Sequence, residues 1–160
     1  MPELRDFAKS LGLVNVRTFI QSGNLVFETS ELTGVALECL LEEEAGKRLG
    51  LQTDFIVRTA DEWQRIITNN PIPDFARRDP SHLLVFPLKH ARNPQDFLLL
   101  QDAVSGPEIV RGSGKVAYIA YPDGIGRSRL TIGVIERHLG TRSTGRNWNT
   151  VLKLGLLAGG

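Results

Sequence analysis

The chain has few of the residues on which several common architectures and sites depend. Its 160 residues include one cysteine, Cys39, which excludes an internal disulfide framework and fits a reducing cytosol. No apolar run reaches the roughly 18 residues that a membrane-spanning helix needs. The first six residues form no apolar signal region. We therefore expect a cytoplasmic protein that has no membrane segment.

The sequence also lacks an excess of charge of either sign. Its 19 Lys and Arg residues and 18 Asp and Glu residues leave a formal charge of +1. A dedicated DNA-coating protein normally carries a clear basic excess, so that class is disfavoured, although a local basic patch is compatible with the balance. What is present, 41% apolar and 23% charged residues, is typical of a globular protein with a sizeable core.

The histidines and the cysteine show no spacing typical of a metal site. His82, His90 and His138 lie far apart, and none forms a His-x-x-x-His or Cys–His pair. We therefore predict no metal site and no cofactor. Cys39 lies among apolar neighbours in a helical segment, which favours a buried side chain that fills space in a core.

The first half of the chain has the periodicity of an α-β-β-α-β series. Apolar residues at spacings of three and four indicate two helices, each followed by a glycine where a C-cap belongs. Alternating residues indicate strands, two of them joined by a tight turn at Ser22-Gly23-Asn24. The predicted elements are 2–11, 14–21, 25–28, 32–49 and 52–58, then a short helix to 67 for which Thr59 and Glu62 have capping-box spacing.

A proline-rich stretch separates this half from a second, similar series. Residues 69–80 hold three prolines and are predicted to be a linker, because proline ends helices and interior strands. The second series reads β-α-β-β-α, and residues 111–114 predict a hairpin turn between two of its strands. A short strand near 141–144 would complete it. The predicted strands are 83–86, 108–110 and 116–121, and the predicted helices are 93–100, 130–139 and 147–157.

The two series together predict an α+β fold of tandem ferredoxin-like units. Such a unit has the order βαββαβ, and the first series matches it if its first strand is absent. An absent first strand would leave strand edges and an apolar helix face uncovered, and a partner chain could cover them. We assign 1–70 to unit one with a connecting helix and 81–160 to unit two with a C-terminal helix, in one compact body.

Four segments carry motifs specific enough to compare with known families: 16–27, 57–59, 121–128 and 146–154. They resemble one bacterial family, the domain of unknown function numbered 1697. The resemblance covers nearly the whole chain and implies two ferredoxin-like units in one body. It implies no activity, because the family's activity is unassigned. Family members typically have a strand and a Gly-rich turn before the first helix, and this sequence opens after that point.

Residues 121–128 follow a predicted strand and precede a predicted helix. Their glycines permit close approach to main-chain N–H groups, and a helix N-terminus attracts phosphate or carboxylate. Arg127 and Arg129 add planar donors for an anion. The alternative is a plain turn at 122–124 and a plain helix cap at Ser128. The ligand-binding candidates in this segment are Asp123, Gly124, Gly126, Arg127 and Ser128.

Residues 144–150 form the second candidate segment. Its arginine can hold an anion, its asparagines can read polar edges, and its tryptophan offers a face for stacking. The alternative is architectural, with an asparagine that caps the last helix and a tryptophan that fills the core. If the two segments meet in space, Arg127 and Arg146 would share one anion pocket. The candidates here are Arg146, Asn147, Trp148 and Asn149.

These patterns favour binding of an anionic ligand, either a phosphate-bearing small molecule or a short nucleic-acid segment. RNA binding through strand aromatics ranks lower, because Tyr118 and Tyr121 differ in parity along the strand. A second hypothesis is an enzyme that uses Asp123 beside the arginines, and a buried Asp123 would favour it over a turn. A third is a structural module that forms a homodimer through the open sheet edge.

Overall fold

The computed structural model describes residues 2–19, 23–29 and 32–159, where the chain forms seven α-helices and five strands. It divides into two units, Met1–Gln64 with Lys153–Gly160, and Arg65–Leu152. In chain order the elements are α1 (Pro2–Ser10), β1 (Val14–Phe19), β2 (Asn24–Glu28), α2 (Gly34–Leu49), α3 (Ala60–Thr68), α4 (Pro73–Arg78), β3 (Leu83–Arg92), α5 (Pro94–Ala103), β4 (Ile109–Ala120), α6 (Ile132–Leu139), β5 (Arg146–Asn147) and α7 (Trp148–Leu157).

The first unit packs α1, α2 and a two-stranded antiparallel sheet around an apolar core. Leu37, Leu41 and Ala45 recur at helical spacing and bring one face of α2 into this core. Gly50 ends α2 with φ of 62°, a left-handed conformation that glycine adopts without a Cβ clash. The helix end predicted at this glycine is therefore confirmed.

The antiparallel pairing of β1 with β2 confirms the predicted hairpin strands. Phe19 pairs with Asn24, and the Asn24 side chain donates to the Phe19 carbonyl at 2.9 Å. Gly23 has φ of 83°, as a tight turn requires of one residue. Gln21 and Ser22, which belong to the predicted strand and turn, lie outside the described residues.

The strand predicted over 52–58 is wrong, because this segment belongs to no sheet among the described residues. Phe55 and Val57 still alternate onto the core of the first unit. Their N–H groups donate to carboxylates on α2, at 2.8 Å from Phe55 N to Glu42 Oε2 and 2.8 Å from Val57 N to Glu38 Oε2. Acidic side chains thus satisfy backbone donors that a neighbouring strand satisfies in a sheet.

Cys39 is exposed, which corrects the prediction that it fills a core. The buried face of α2 carries Glu38 next to the cysteine, together with Leu37 and Leu41. The backbone donor on Val57 explains a carboxylate there, since a buried acid needs a hydrogen-bond partner. The apolar neighbours of Cys39 in sequence therefore do not share its side of the helix.

The second unit is built on a three-stranded antiparallel sheet in the order β4-β3-β5. Leu83 pairs with Ala120 on one side of β3, and Val85 pairs with Arg146 on the other. The strand predicted near 141–144 is represented by a bridge from Ser143 to Leu88 and by β5 just after it. The core of this unit includes Phe86, Leu88, Phe97, Leu100, Ile119, Ile135 and Leu139.

The single strand β4 replaces two predicted strands and the hairpin turn predicted at 111–114. The pairing of β3 with β4 shifts register between Pro87 and Arg92, and Gly114 opposite Arg92 has φ of 59°. Gly112 is needed for another reason, since a Cβ there would lie 2.2 Å from Phe97 Cδ1. The glycines therefore allow an irregular strand and a close ring contact rather than a turn.

The predicted linker 69–80 contains the helix α4, which corrects the prediction that this stretch has no secondary structure. Pro73 begins this helix, where proline is tolerated because the first helical N–H groups have no partner within the helix. Phe75 and Ala76 on α4 are buried. Proline in this stretch therefore begins a helix, whereas the prediction had used it only as a residue that ends helices and strands.

The fold is a mixed arrangement of helices with two small antiparallel sheets. The described sheets hold two and three strands, whereas a complete βαββαβ unit has four. Capping follows the sequence closely: Thr59 N–H donates to Glu62 Oε1 at 2.8 Å, and Glu62 N–H donates to Thr59 Oγ1 at 3.1 Å. None of the described helices has the length and apolar character needed to cross a bilayer.

Candidate functional site

The chain between β4 and α6 makes two consecutive turns. Gly124 N–H donates to the Tyr121 carbonyl at 3.0 Å, and Ser128 N–H donates to the Ile125 carbonyl at 3.1 Å. Gly124 has φ of 86°, which side-chain-bearing residues rarely adopt, so a glycine is required there. The turn that the sequence predicts at 122–124 is therefore present.

Tyr121 joins the two ends of this loop. Its side chain is buried, and its hydroxyl donates to the Leu130 carbonyl at 2.9 Å. Burial raises the pKa of Tyr121, and the nearby negative charge of Glu108 raises that pKa further. The phenol therefore stays protonated at neutral pH and keeps donating to the far end of the loop.

A cavity of about 440 Å³ lies beside the loop, within the second unit. One part of its lining is 105–108, the segment between α5 and β4. The other part comes from the loop and consists of Asp123, Gly124, Arg127, Ser128 and Arg129. The cavity therefore gathers four of the five candidates from 121–128, together with Arg129, and its lining does not include Gly126.

The charged residues of the loop are exposed to solvent. Asp123, Arg127 and Arg129 are all exposed. Neither arginine forms an ion pair or hydrogen bond with another described residue. An exposed Asp123 is the arrangement expected of a turn residue. Both guanidinium groups remain available for a ligand in the cavity.

The polar hydroxyls after the loop serve the backbone. Ser128 Oγ accepts from Leu130 N–H at 3.0 Å, and Thr131 Oγ1 accepts from Val134 N–H at 3.4 Å as the N-cap of α6. The N-cap of α6 is therefore Thr131, and Ser128 bonds within its own loop instead. The N–H of Val134, in the first turn of α6, is already used by that cap.

The second candidate segment lies along β3 and outside the lining of the cavity. Arg146 is half-buried and donates to Thr144 Oγ1 and, at 2.9 Å, to the Gly145 carbonyl. Burial lowers the pKa of the Arg146 guanidinium. Arg127 therefore lines the cavity, whereas Arg146 does not.

The remaining residues of that segment have architectural positions. Asn147 Oδ1 accepts from Thr150 N–H at 3.0 Å, which caps the beginning of α7 as the sequence predicts. Trp148 is 8% exposed, whereas Asn149 is exposed. A tryptophan so enclosed leaves little ring surface for a ligand to stack on.

Sequence reasoning missed Glu108, which lines the cavity just before β4. This residue is 9% exposed. Its backbone carbonyl accepts from Gln101 Nε2 at 3.1 Å, but its carboxylate forms no hydrogen bond or ion pair with another described residue. No spacing rule marks a single acid after a Gly-Pro pair, so the sequence carried no distinctive signal for it.

A family model described as "Protein of unknown function (DUF1697)" matches residues 1–118. The chain belongs to this family. In this DUF1697 protein the matched range includes the 105–108 wall of the cavity and ends before the loop that forms the other wall. A comparison with curated proteins finds no match.

One solved structure extends the comparison to nearly the whole DUF1697 chain. The protein is similar to "conserved bacterial protein SP0830 from Streptococcus pneumoniae", with 19% sequence identity and a TM-score of 0.73. The alignment covers 99% of this chain and 88% of that chain. At this identity the likeness shows a shared fold and carries no statement about activity.

A histidine–carboxylate pair flanks the loop of this DUF1697 protein and was also missed. His82 Nδ1 lies 2.7 Å from Asp79 Oδ2, and the His82 carbonyl accepts from Tyr121 N–H at 2.8 Å. A Cβ added at Gly124 would lie 3.8 Å from His82 Nε2. The spacing of three residues between Asp79 and His82 was the available signal.

Two further predictions concern metals and aromatic stacking. Within 2–19, 23–29 and 32–159, no group of three or more His, Cys, Asp or Glu side chains is placed to hold a metal ion. Tyr118 is buried and its hydroxyl donates to the Ile66 carbonyl at 2.7 Å. Since Tyr121 is buried as well, neither strand tyrosine offers a free face to a nucleic-acid base.

Proposed function

We propose that this DUF1697 protein binds a small anionic molecule in the cavity between 105–108 and the loop 121–130. The observation that carries the proposal is that Arg127 and Arg129 line one cavity while neither is engaged by another described residue. A guanidinium presents a planar set of donors that matches phosphate and carboxylate groups. Two such groups on one wall therefore favour an anionic ligand.

A small molecule fits this site better than a nucleic-acid segment. Ligand cavities typically measure about 300–1,000 Å³, and the cavity of about 440 Å³ falls in that range. Single-stranded nucleic acid is usually held by exposed aromatic faces, whereas Tyr118, Tyr121 and Trp148 are buried. We retain a phosphate-bearing metabolite as the first ligand class to test.

The test is a thermal-shift and calorimetric titration with sugar phosphates, nucleotides and dicarboxylates. Ligand at about 100 times its dissociation constant should stabilise the fold by roughly 2.7 kcal/mol. Arg127→Ala and Arg129→Ala should each weaken binding, because each removes a donor from the cavity. Arg137→Ala is the matched control, since Arg137 is exposed on α6 and lies outside the cavity lining.

Binding that survives both cavity substitutions would contradict the proposed site. So would an equal loss of binding in Arg137→Ala, because that result would indicate a general charge effect. Short oligonucleotides belong in the same titration. Tighter binding of an oligonucleotide than of any mononucleotide would favour nucleic acid over a small molecule.

We propose as a second function the formation of a homodimer through the sheet of the first unit. Among the described residues β2 pairs with β1 alone, and the N–H groups of Phe55 and Val57 are held by side chains instead of a strand. Both features support a ferredoxin-like unit that lacks one strand. A strand from a second copy could supply it by edge pairing.

Sedimentation velocity over a range of concentrations tests this second proposal. Val26→Lys places a charge on β2 and should abolish a dimer that pairs along this strand. Val35→Lys is the matched control, because Val35 is exposed on α2 and away from the strand edge. A wild-type protein that sediments as a monomer at all concentrations would exclude the homodimer.

A further inference from the structure

Glu108 is a mostly buried acidic residue in the wall of the cavity. About nine-tenths of the residue is removed from solvent, since it is 9% exposed. Within the described ranges its carboxylate has no ion-pair or hydrogen-bond partner. Among the described residues no fully buried side-chain oxygen lacks a hydrogen-bond partner, so the oxygens of this carboxylate still reach solvent. The protein therefore carries an acceptor that a bound molecule could satisfy.

The neighbouring backbone leaves room for this carboxylate. A Cβ added at Gly106 would lie 2.7 Å from Glu108 Oε1 and 3.1 Å from Oε2. A side chain at position 106 would therefore displace the carboxylate, and glycine permits its present position. Gly106 and Glu108 both line the cavity, so the carboxylate is held beside the space that a ligand would fill.

The protein groups near this carboxylate do not neutralise it. The hydroxyl of Tyr121, on which the Glu108 charge acts, donates to the Leu130 carbonyl. Arg127 and Arg129 line the same cavity without forming an ion pair with Glu108. The cavity lining thus holds two cationic groups and one anionic group that no described residue pairs with.

We infer that the cavity takes a zwitterionic small molecule, whose ammonium group binds Glu108 and whose phosphate or carboxylate group binds Arg127 and Arg129. The inference rests on the proposed anion site and narrows its ligand class. An ammonium group supplies both a counter-charge and hydrogen-bond donors, which no described residue supplies to this carboxylate. A ligand with an anionic group alone would leave Glu108 unpaired.

Three probes that differ at one position test this inference on the unaltered protein. They are O-phosphoethanolamine, 2-hydroxyethyl phosphate and ethyl phosphate, which carry an ammonium group, a hydroxyl group or a hydrogen atom on the carbon farthest from the phosphate. Dissociation constants come from calorimetry or from amide chemical shifts. We expect the ammonium compound to bind about tenfold or more tightly than ethyl phosphate, because its hydrogen bonds to a carboxylate are charge-assisted.

Glu108→Gln should remove most of this preference, while Arg127→Ala should weaken all three probes alike. Asp102→Asn is the matched control, since it loses the same charge at an exposed position on α5 outside the cavity lining. Equal affinities of the unaltered protein for all three phosphates would overturn the zwitterion inference and leave the anion site standing. No binding of any probe, or binding indifferent to Arg127→Ala, would overturn both. Preference for the hydroxyl compound over the ammonium compound would replace the zwitterion with a sugar-phosphate type of ligand.

Discussion

The hydroxyl of Tyr121 donates a 2.9 Å hydrogen bond to the carbonyl of Leu130, so one side chain spans the loop that carries Arg127 and Arg129. Both ends of this bond are buried. The loop itself holds two turns, but its described residues form no ladder with another strand. The Tyr121–Leu130 contact is therefore the connection on which the position of the cavity arginines depends.

Replacing Tyr121 by Phe should lower both stability and ligand binding. The substitution leaves the buried Leu130 carbonyl without its donor, which should cost about 1–3 kcal/mol in the free energy of unfolding. Urea denaturation measures this loss. Tyr118→Phe is the matched control, because it removes a similar buried bond to the Ile66 carbonyl away from the loop. Equal ligand affinities in the two variants would show that the Tyr121 bond does not position the arginines.

Stability should fall at alkaline pH as the buried tyrosines are forced to ionise. Burial raises the pKa of Tyr118 from 10.0 to about 12. Because the unfolded chain loses this proton first, the stabilisation is complete below pH 10 and is lost as the pH rises towards 12. Denaturation midpoints measured from pH 9 to 12 should decline less steeply in Tyr118→Phe than in the unaltered protein. Identical slopes would contradict the assigned burial.

Gly112→Ala should destabilise the second unit. The added Cβ would lie 2.2 Å from Phe97 Cδ1, so the ring and the strand β4 must separate, at a cost of about 1–3 kcal/mol. Gly126→Ala is the matched control, since a Cβ there meets nothing within 4 Å. Phe97→Leu combined with Gly112→Ala should restore part of the loss. A Gly112→Ala variant as stable as Gly126→Ala would refute the close contact.

Glu38→Ala should be among the most harmful substitutions in the first unit. The Glu38 carboxylate is buried, accepts from Val57 N–H at 2.8 Å and lies 4.0 Å from Arg58 Nη1. Its removal takes the acceptor from Val57 N–H and a negative charge from beside the buried Arg58 side chain, which should cost about 3 kcal/mol or more. Thermal and urea unfolding test this expectation.

The control for that substitution is Glu43→Ala on the same helix. Glu43 pairs with Lys47 at 3.0 Å on the exposed side of α2. A solvent-exposed ion pair contributes little, so Glu43→Ala should leave the unfolding midpoint nearly unchanged. Similar losses in the two variants would mean that removal of a negative charge from α2, and not the contacts of the buried carboxylate, determines the effect at position 38.

Helix ends were the part of the structure that local reasoning predicted best. Thr59 and Glu62 form the expected capping box, Asn147 caps α7, and Gly50 and Gly140 end their helices in left-handed conformations. Each of these features depends on residues within about four positions of one another, and such spacing is visible in the chain itself.

Predictions failed where a residue type serves two different purposes. The glycines at 112 and 114 suit a hairpin turn, but the first admits a ring from α5 and the second lies in an irregular strand. Residues 52–58 alternate like a strand, yet their donors meet carboxylates from α2. Proline at 73 begins a helix within the expected linker. Periodicity alone does not say which distant element will lie alongside.

The candidate site was predicted only in part, because the sequence does not show which distant residues lie beside a loop. Asp123, Gly124, Arg127 and Ser128 reach one cavity because they belong to one short loop. Residues 146–149 lie apart from it, since β5 holds them along β3. Glu108 and His82 lie near the loop because β4 pairs with β3, which sequence spacing does not show.

The sequence by itself determined six of the seven described helices, several of their caps, the turn at 122–124 and membership of a family, because these depend on neighbours along the chain. The tertiary structure decided which acids are buried, which glycines admit a ring and which arginines share a cavity. Burial and proximity of this kind arise from contacts between residues far apart in sequence. The placement of Glu108 and two uncommitted arginines in the lining of one cavity belongs to this second group.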